Sequence, residues 1–125
     1  ERPPLFDSLI PDVHGNQVAL LQQSKCFAAS PAMSCSTCHD VHRPERDLSV
    51  MAGKCLSCHD ASTHPDPRRL GERLVENCID CHMPNRPSNA LKLTTPSDQE
   101  AISYRSHAIG IYPQAVADVL GGGAR

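Results

Sequence analysis

Apolar residues in this chain fall in short runs cut by proline and glycine, not in long periodic stretches. Residues 1–13 (ERPPLFDSLIPDV) hold three prolines and predict an extended surface arm without regular structure. Over residues 16–27, Val18, Leu21 and Phe27 recur near helical spacing, no proline intervenes, and Gly15 or Asn16 stands where a cap belongs, so a helix is expected. Residues 28–97 are punctuated by Pro31, Pro44, Pro65, Pro67, Pro84, Pro87 and Pro96, which predicts short helical turns at best. The best helix in that stretch covers 71–81, with Leu74, Val75 and Cys78 on one side. Another helix is expected over 97–104, where Ser97 followed by Glu100 resembles a capping box. A last one is expected over 114–120, stopped by the glycines that follow. The pattern predicts a mainly α fold with much irregular structure and no significant sheet. It is organised as an arm (1–13), a single domain (14–120) and a flexible tail (121–125).

Composition makes that reading strained as an ordinary globule. The chain has 125 residues, enough for one small domain, with two Phe, two Tyr and no Trp. Small domains bury a smaller share of their surface and usually need staples, and here bulky apolar matter is scarce. Seven Cys and seven His are the compensating excess. The net charge of −2, with both signs dispersed, offers no basic stripe for nucleic acid and no polybasic membrane patch. No apolar run approaches the ~18 residues of a transmembrane helix. The opening at Glu1 instead of Met fits a chain whose targeting segment has been removed.

The excess is ordered. Residues 35–39 read CSTCH, 55–59 read CLSCH and 78–82 read CIDCH, each a Cys-x-x-Cys-His. At these frequencies chance supplies about 0.02 such words. On a helical turn residues i, i+3 and i+4 share a face, so two thiols can reach the two vinyl groups of one porphyrin while the next imidazole sits under its iron. Zinc would explain paired cysteines, but not a histidine directly after each pair. A redox pair or disulfide scaffold fails on the same point. The words therefore imply three c-type haems, attached through Cys35 and Cys38, Cys55 and Cys58, and Cys78 and Cys81, with His39, His59 and His82 as proximal ligands. A folded chain of this length has a radius of gyration of about 14 Å. The haems must then be closely packed, with the chain wrapped around them as a small multihaem cytochrome c.

Four histidines remain for three distal positions. His42, His64 and His107 follow one per motif and are the expected distal ligands; His14 is the least certain. His42 lies too close in sequence to His39 to reach the far face of the same haem, so it should serve another, and His64 falls under a weaker form of that argument. Which histidine meets which iron stays open in the sequence. Met33, Met51 and Met83 read as packing residues. Cys26 is left over, either a buried small residue of the first helix, an intermolecular disulfide partner or a single-thioether anchor for a further haem near His14, though four six-coordinate haems would need eight ligands and the chain has seven His.

The stretches LLQQSKCFAASPAMSCSTCHDVH (20–42), CLSCHDASTHP (55–65), ENCIDCHMPNRP (76–87) and SYRSHAIGIYP (103–113) resemble the trihaem module of multihaem c-type cytochromes, including those fused to tetratricopeptide repeats. The resemblance implies distal roles for His42, His64 and His107, as counting does. Small cytochromes of this kind are also similar to subunits that polymerise into extracellular conducting filaments. The expected function is electron transfer through three bis-His haems, with redox proteins as partners and with assembly into a homopolymer through the N-terminal arm as one form of it. The alternative is a reductase or peroxidase with one open haem. Covalent attachment at these words takes place outside the bacterial or archaeal inner membrane, so an exported, periplasmic or extracellular protein is expected.

Overall fold

A computed structural model describes residues 16–121, leaving the 1–13 arm, His14, the cap candidate Gly15 and residues 122–125 outside the described residues. Backbone contacts gather them into two compact units, one formed by 16–30 with Met83–Gly110 and the other by Pro31–His82 with 111–121.

The first unit contains α1 (Gln17–Gln22), α2 (Lys25–Ala29) and an antiparallel hairpin of β1 (Asn85–Thr94) and β2 (Gln99–Arg105). The single helix expected over 16–27 is broken at Ser24, which is 1% exposed and extended in backbone. Its hydroxyl donates to the His107 carbonyl at 3.1 Å and accepts the Ile109 N–H at 2.8 Å. A serine that bonds a distant backbone in this way competes with helix continuation, and the helix restarts after it.

The hairpin overturns the expectation of no significant sheet. Asn85 pairs with Arg105 and Pro87 with Ser103; beyond an irregularity, Lys92 pairs with Ala101 and Thr94 with Gln99. Pro87 has no N–H for the ladder, and Ser88, buried, accepts the Leu91 N–H at 2.9 Å, so β1 carries extra residues just there. The helix expected over 97–104 is instead a turn followed by β2. Thr95 and Asp98 close that turn: the Thr95 N–H donates to the Asp98 carbonyl at 2.8 Å, and the Asp98 N–H to Thr95 Oγ1 at 3.0 Å. Leu91 and Leu93 on one strand, and Ile102 and Tyr104 on the other, give the alternation that marks strands, and it outweighs the Ser97–Glu100 spacing.

The second unit is helical. It holds α3 (Cys35–Cys38), α4 (Leu48–Leu56), a 3-10 turn (Ala61–Thr63), α5 (Pro67–Leu70), α6 (Arg73–Glu76), α7 (Cys78–His82) and α8 (Pro113–Leu120). Nine-residue α4 exceeds the short turns expected, started by Asp47, whose carboxylate accepts the Ser49 N–H at 2.8 Å. Gly71, at φ 56°, ends α5 in a conformation that favours glycine. The helix expected over 71–81 breaks at Asn77: its side-chain oxygen accepts the Asp80 N–H at 3.0 Å and its amide donates to the Asp80 carboxylate at 2.8 Å, restarting the chain as α7. The expected C-terminal helix is α8, begun by Pro113. Arg73 on α6 donates to the Val119 carbonyl on α8 at 3.1 Å.

Candidate functional site

All three Cys-x-x-Cys-His words fall in the second unit, each on a helical turn. In the first, the His39 N–H donates to the Cys35 carbonyl at 2.9 Å. The turn is closed in front by the Ser34 N–H, which donates to Thr37 Oγ1 at 3.0 Å. In the second, Cys55 lies in the last turn of α4, and the Cys58 and His59 N–H groups return to its carbonyl at 3.1 and 2.9 Å. The third word is the whole of α7. Helical spacing thus sets two sulfurs and one imidazole on a common face three times over.

The donor chemistry fits covalent haem. No disulfide joins cysteines 26, 35, 38, 55, 58, 78 and 81, so their sulfurs are open to addition to vinyl groups. Among the described residues no three His, Cys, Asp or Glu side chains converge to hold a metal ion. The buried apolar interior of this unit consists of Ala52, Ile79 and Cys81. Val41, Val50, Val75 and Ile111 stay exposed, which suits apolar side chains that cover a flat apolar group.

The second and third words are in contact. The Cys55 thiol shares a hydrogen bond with Cys78; this bond first, then burial, pushes the Cys55 thiol up, and the same bond lowers Cys78 to about 7. Cys81 is pushed up by burial and then by the Asp80 carboxylate.

The remaining histidines are distributed unevenly. His39, His42 and His59 are exposed, and the His42 N–H donates to the Asp40 carboxylate at 2.9 Å. His64, half-buried, follows the 3-10 turn that Asp60 caps by accepting the Ser62 N–H at 2.9 Å. It lies with its ring centroid 6.4 Å from that of His82. His107 belongs to the first unit, as does half-buried Cys26 on α2.

One contact of a candidate ligand had no signal in the sequence. Gln17 Oε1 accepts the His107 backbone N–H at 3.2 Å and lies 2.8 Å from His107 Nδ1. A backbone N–H can only donate, so the shared atom is the amide oxygen and Nδ1 must carry its proton. In the neutral ring Nε2 is then the nitrogen with the lone pair, the one open to a metal. The two residues are 90 positions apart, beyond any local pattern.

A family model described as a doubled CXXCH motif matches residues 48–87, which contain the second and third words and His64; the first word lies outside the match. No curated protein matches the chain, nor does any solved structure. The match and the geometry support a multihaem c-type cytochrome-like module, with covalent haem attachment and electron transfer as its general chemistry. Among the described residues no helix is long and apolar enough to cross a membrane.

Proposed function

We propose that the chain is an electron-transfer protein carrying three c-type haems, each iron held between two histidines. The observation that carries this reading is the set of three Cys-x-x-Cys-His turns, none tied up in a disulfide, in one compact unit. When bound, haem supplies a one-electron iron couple in a site whose axial ligands set its potential. The cysteines anchor each porphyrin, and His39, His59 and His82 serve as proximal ligands. His42, His64 and His107 supply the distal imidazoles, with His14 in surplus. Paired imidazoles favour a lower potential than a His/Met pair. With both axial positions filled, no iron offers a place to substrate, so the protein acts as a carrier and not as a catalyst.

The contact between Cys55 and Cys78 brings two attachment points together and supports haem-to-haem transfer within the unit. Partners are redox proteins, or further copies of the chain joined through the 1–13 arm into a filament. Because haem is attached at these words outside the inner membrane, the place of action is the periplasm or the exterior. The holoprotein tests the reading. All irons should be low-spin, and carbon monoxide, cyanide and nitrite should leave the spectrum unchanged; a high-spin iron that binds them would favour a reductase or peroxidase instead.

A further inference from the structure

We propose that His64 and His82 are the two axial ligands of one iron, that of the haem held by Cys78 and Cys81. This rests on the haem reading above and adds a specific pairing to it, one that the sequence leaves open.

The first observation is the spacing of the rings. An imidazole nitrogen sits about 2 Å from a metal it ligates, and the ring centre lies roughly 1 Å further out, so two imidazoles on opposite sides of one metal hold their centroids about 6 Å apart. The centroids of His64 and His82 are 6.4 Å apart. Both ring planes of an axial pair contain the metal–nitrogen axis, so the angle between the planes is unconstrained and the observed 71° is admissible.

The second observation is what surrounds them. A single open cleft of the second unit is lined by His64, His82, Cys78 and Cys81, with Leu70 and Leu74 supplying apolar wall. The two sulfurs and the two rings needed for one haem therefore face the same space.

The third is the path of the chain. His64 lies five residues past His59, and the Asp60-capped turn between them delivers it beside α7. The segment that carries the second attachment word thereby supplies a ligand to the third haem, stitching the pair together.

Edge-to-face packing of two rings, without a metal, accounts for the distance but does not require that His64 open onto the cleft where the α7 sulfurs lie. One contact is given up on ligation. The Asp66 N–H donates to His64 Nδ1 at 3.4 Å, and coordination through Nε2 places a proton on Nδ1. That bond is longer than the usual hydrogen-bond range, so little is lost with it.

The test uses the full-length holoprotein, with haem content read by intact mass. In His64→Ala, three haems remain attached, one of the three becomes high-spin in the ferric state, and the reduced protein takes up one carbon monoxide. Adding Cys78→Ala and Cys81→Ala removes that uptake; adding Cys55→Ala and Cys58→Ala leaves it. His64→Met, which keeps a ligand in place, stays low-spin and raises the potential of one haem. The pairing is overturned by a three-haem His64→Ala protein that stays fully low-spin, or by carbon monoxide uptake that depends on Cys55 and Cys58 instead. Unaltered potentials in His64→Met overturn it equally, and this variant decides where His64→Ala does not accumulate. An unmutated protein without covalent haem contradicts the underlying haem reading, a separate outcome visible before any variant is made.

Discussion

Replacing Gln17 tests how this fold fixes the tautomer of His107. In Gln17→Ala the side-chain oxygen that accepts both the His107 N–H and Nδ1–H is lost. Both residues are half-buried, so each abandoned donor costs about 1 kcal/mol, and the pair about 2 kcal/mol, a shift of roughly thirtyfold in the folding equilibrium. Denaturant unfolding followed by circular dichroism reads that loss, and the His107 amide should exchange with solvent faster than in the parent. Gln17→Glu separates geometry from electronics. Its carboxylate accepts both bonds more strongly, which restores stability and makes the imidazole more basic. With His107 as a distal ligand, the potential of the haem it serves should fall by some tens of millivolts, where ~59 mV is tenfold for one electron. An unfolding midpoint unmoved by Gln17→Ala, or a potential raised by Gln17→Glu, would refute the tautomer argument.

Two further changes probe the frame that carries the site. Ser24→Ala strips the buried hydroxyl that binds the His107 carbonyl and the Ile109 N–H, two groups that also bond each other at 2.9 Å, and should destabilise the protein by about 2 kcal/mol, measured by denaturant unfolding. The Asp47 carboxyl is held below the usual carboxylate range by the Ser49 hydroxyl first and the Ser49 N–H next. A depressed folded pKa contributes stability above the unfolded pKa that is lost as pH falls through the folded one, so the advantage of the parent over Asp47→Asn should shrink on acidification below the ordinary carboxylate range. A pH series of unfolding curves shows it.

The attachment chemistry was legible because Cys-x-x-Cys-His is written within five consecutive residues and one helical turn. The helix breaks were not, because Ser24 and Asn77 stop their helices with bonds to partners that periodicity does not see: a backbone 83 positions away for Ser24, and a reciprocal cap with Asp80 for Asn77. The hairpin was masked by Pro87 and by a Ser97–Glu100 spacing that imitates a helix start, although the turn at Thr95–Asp98 sits between two alternating runs. The approach of His64 to His82 and the grip of Gln17 on His107 are products of tertiary contact, so only the folded chain displays them. The small apolar interior of the second unit, Ala52, Ile79 and Cys81, agrees with the scarcity of large side chains in the composition.

The central claim is that each of the three words holds a haem. The most direct measurement is the intact mass of the protein purified from a host that attaches haem covalently, under denaturing conditions that remove any unattached group. The account predicts a polypeptide carrying three haems, reduced to two when Cys35 and Cys38, outside the matched pair, are both replaced by Ala. A parent protein with two haems, or a Cys35→Ala, Cys38→Ala variant that loses none, would contradict it.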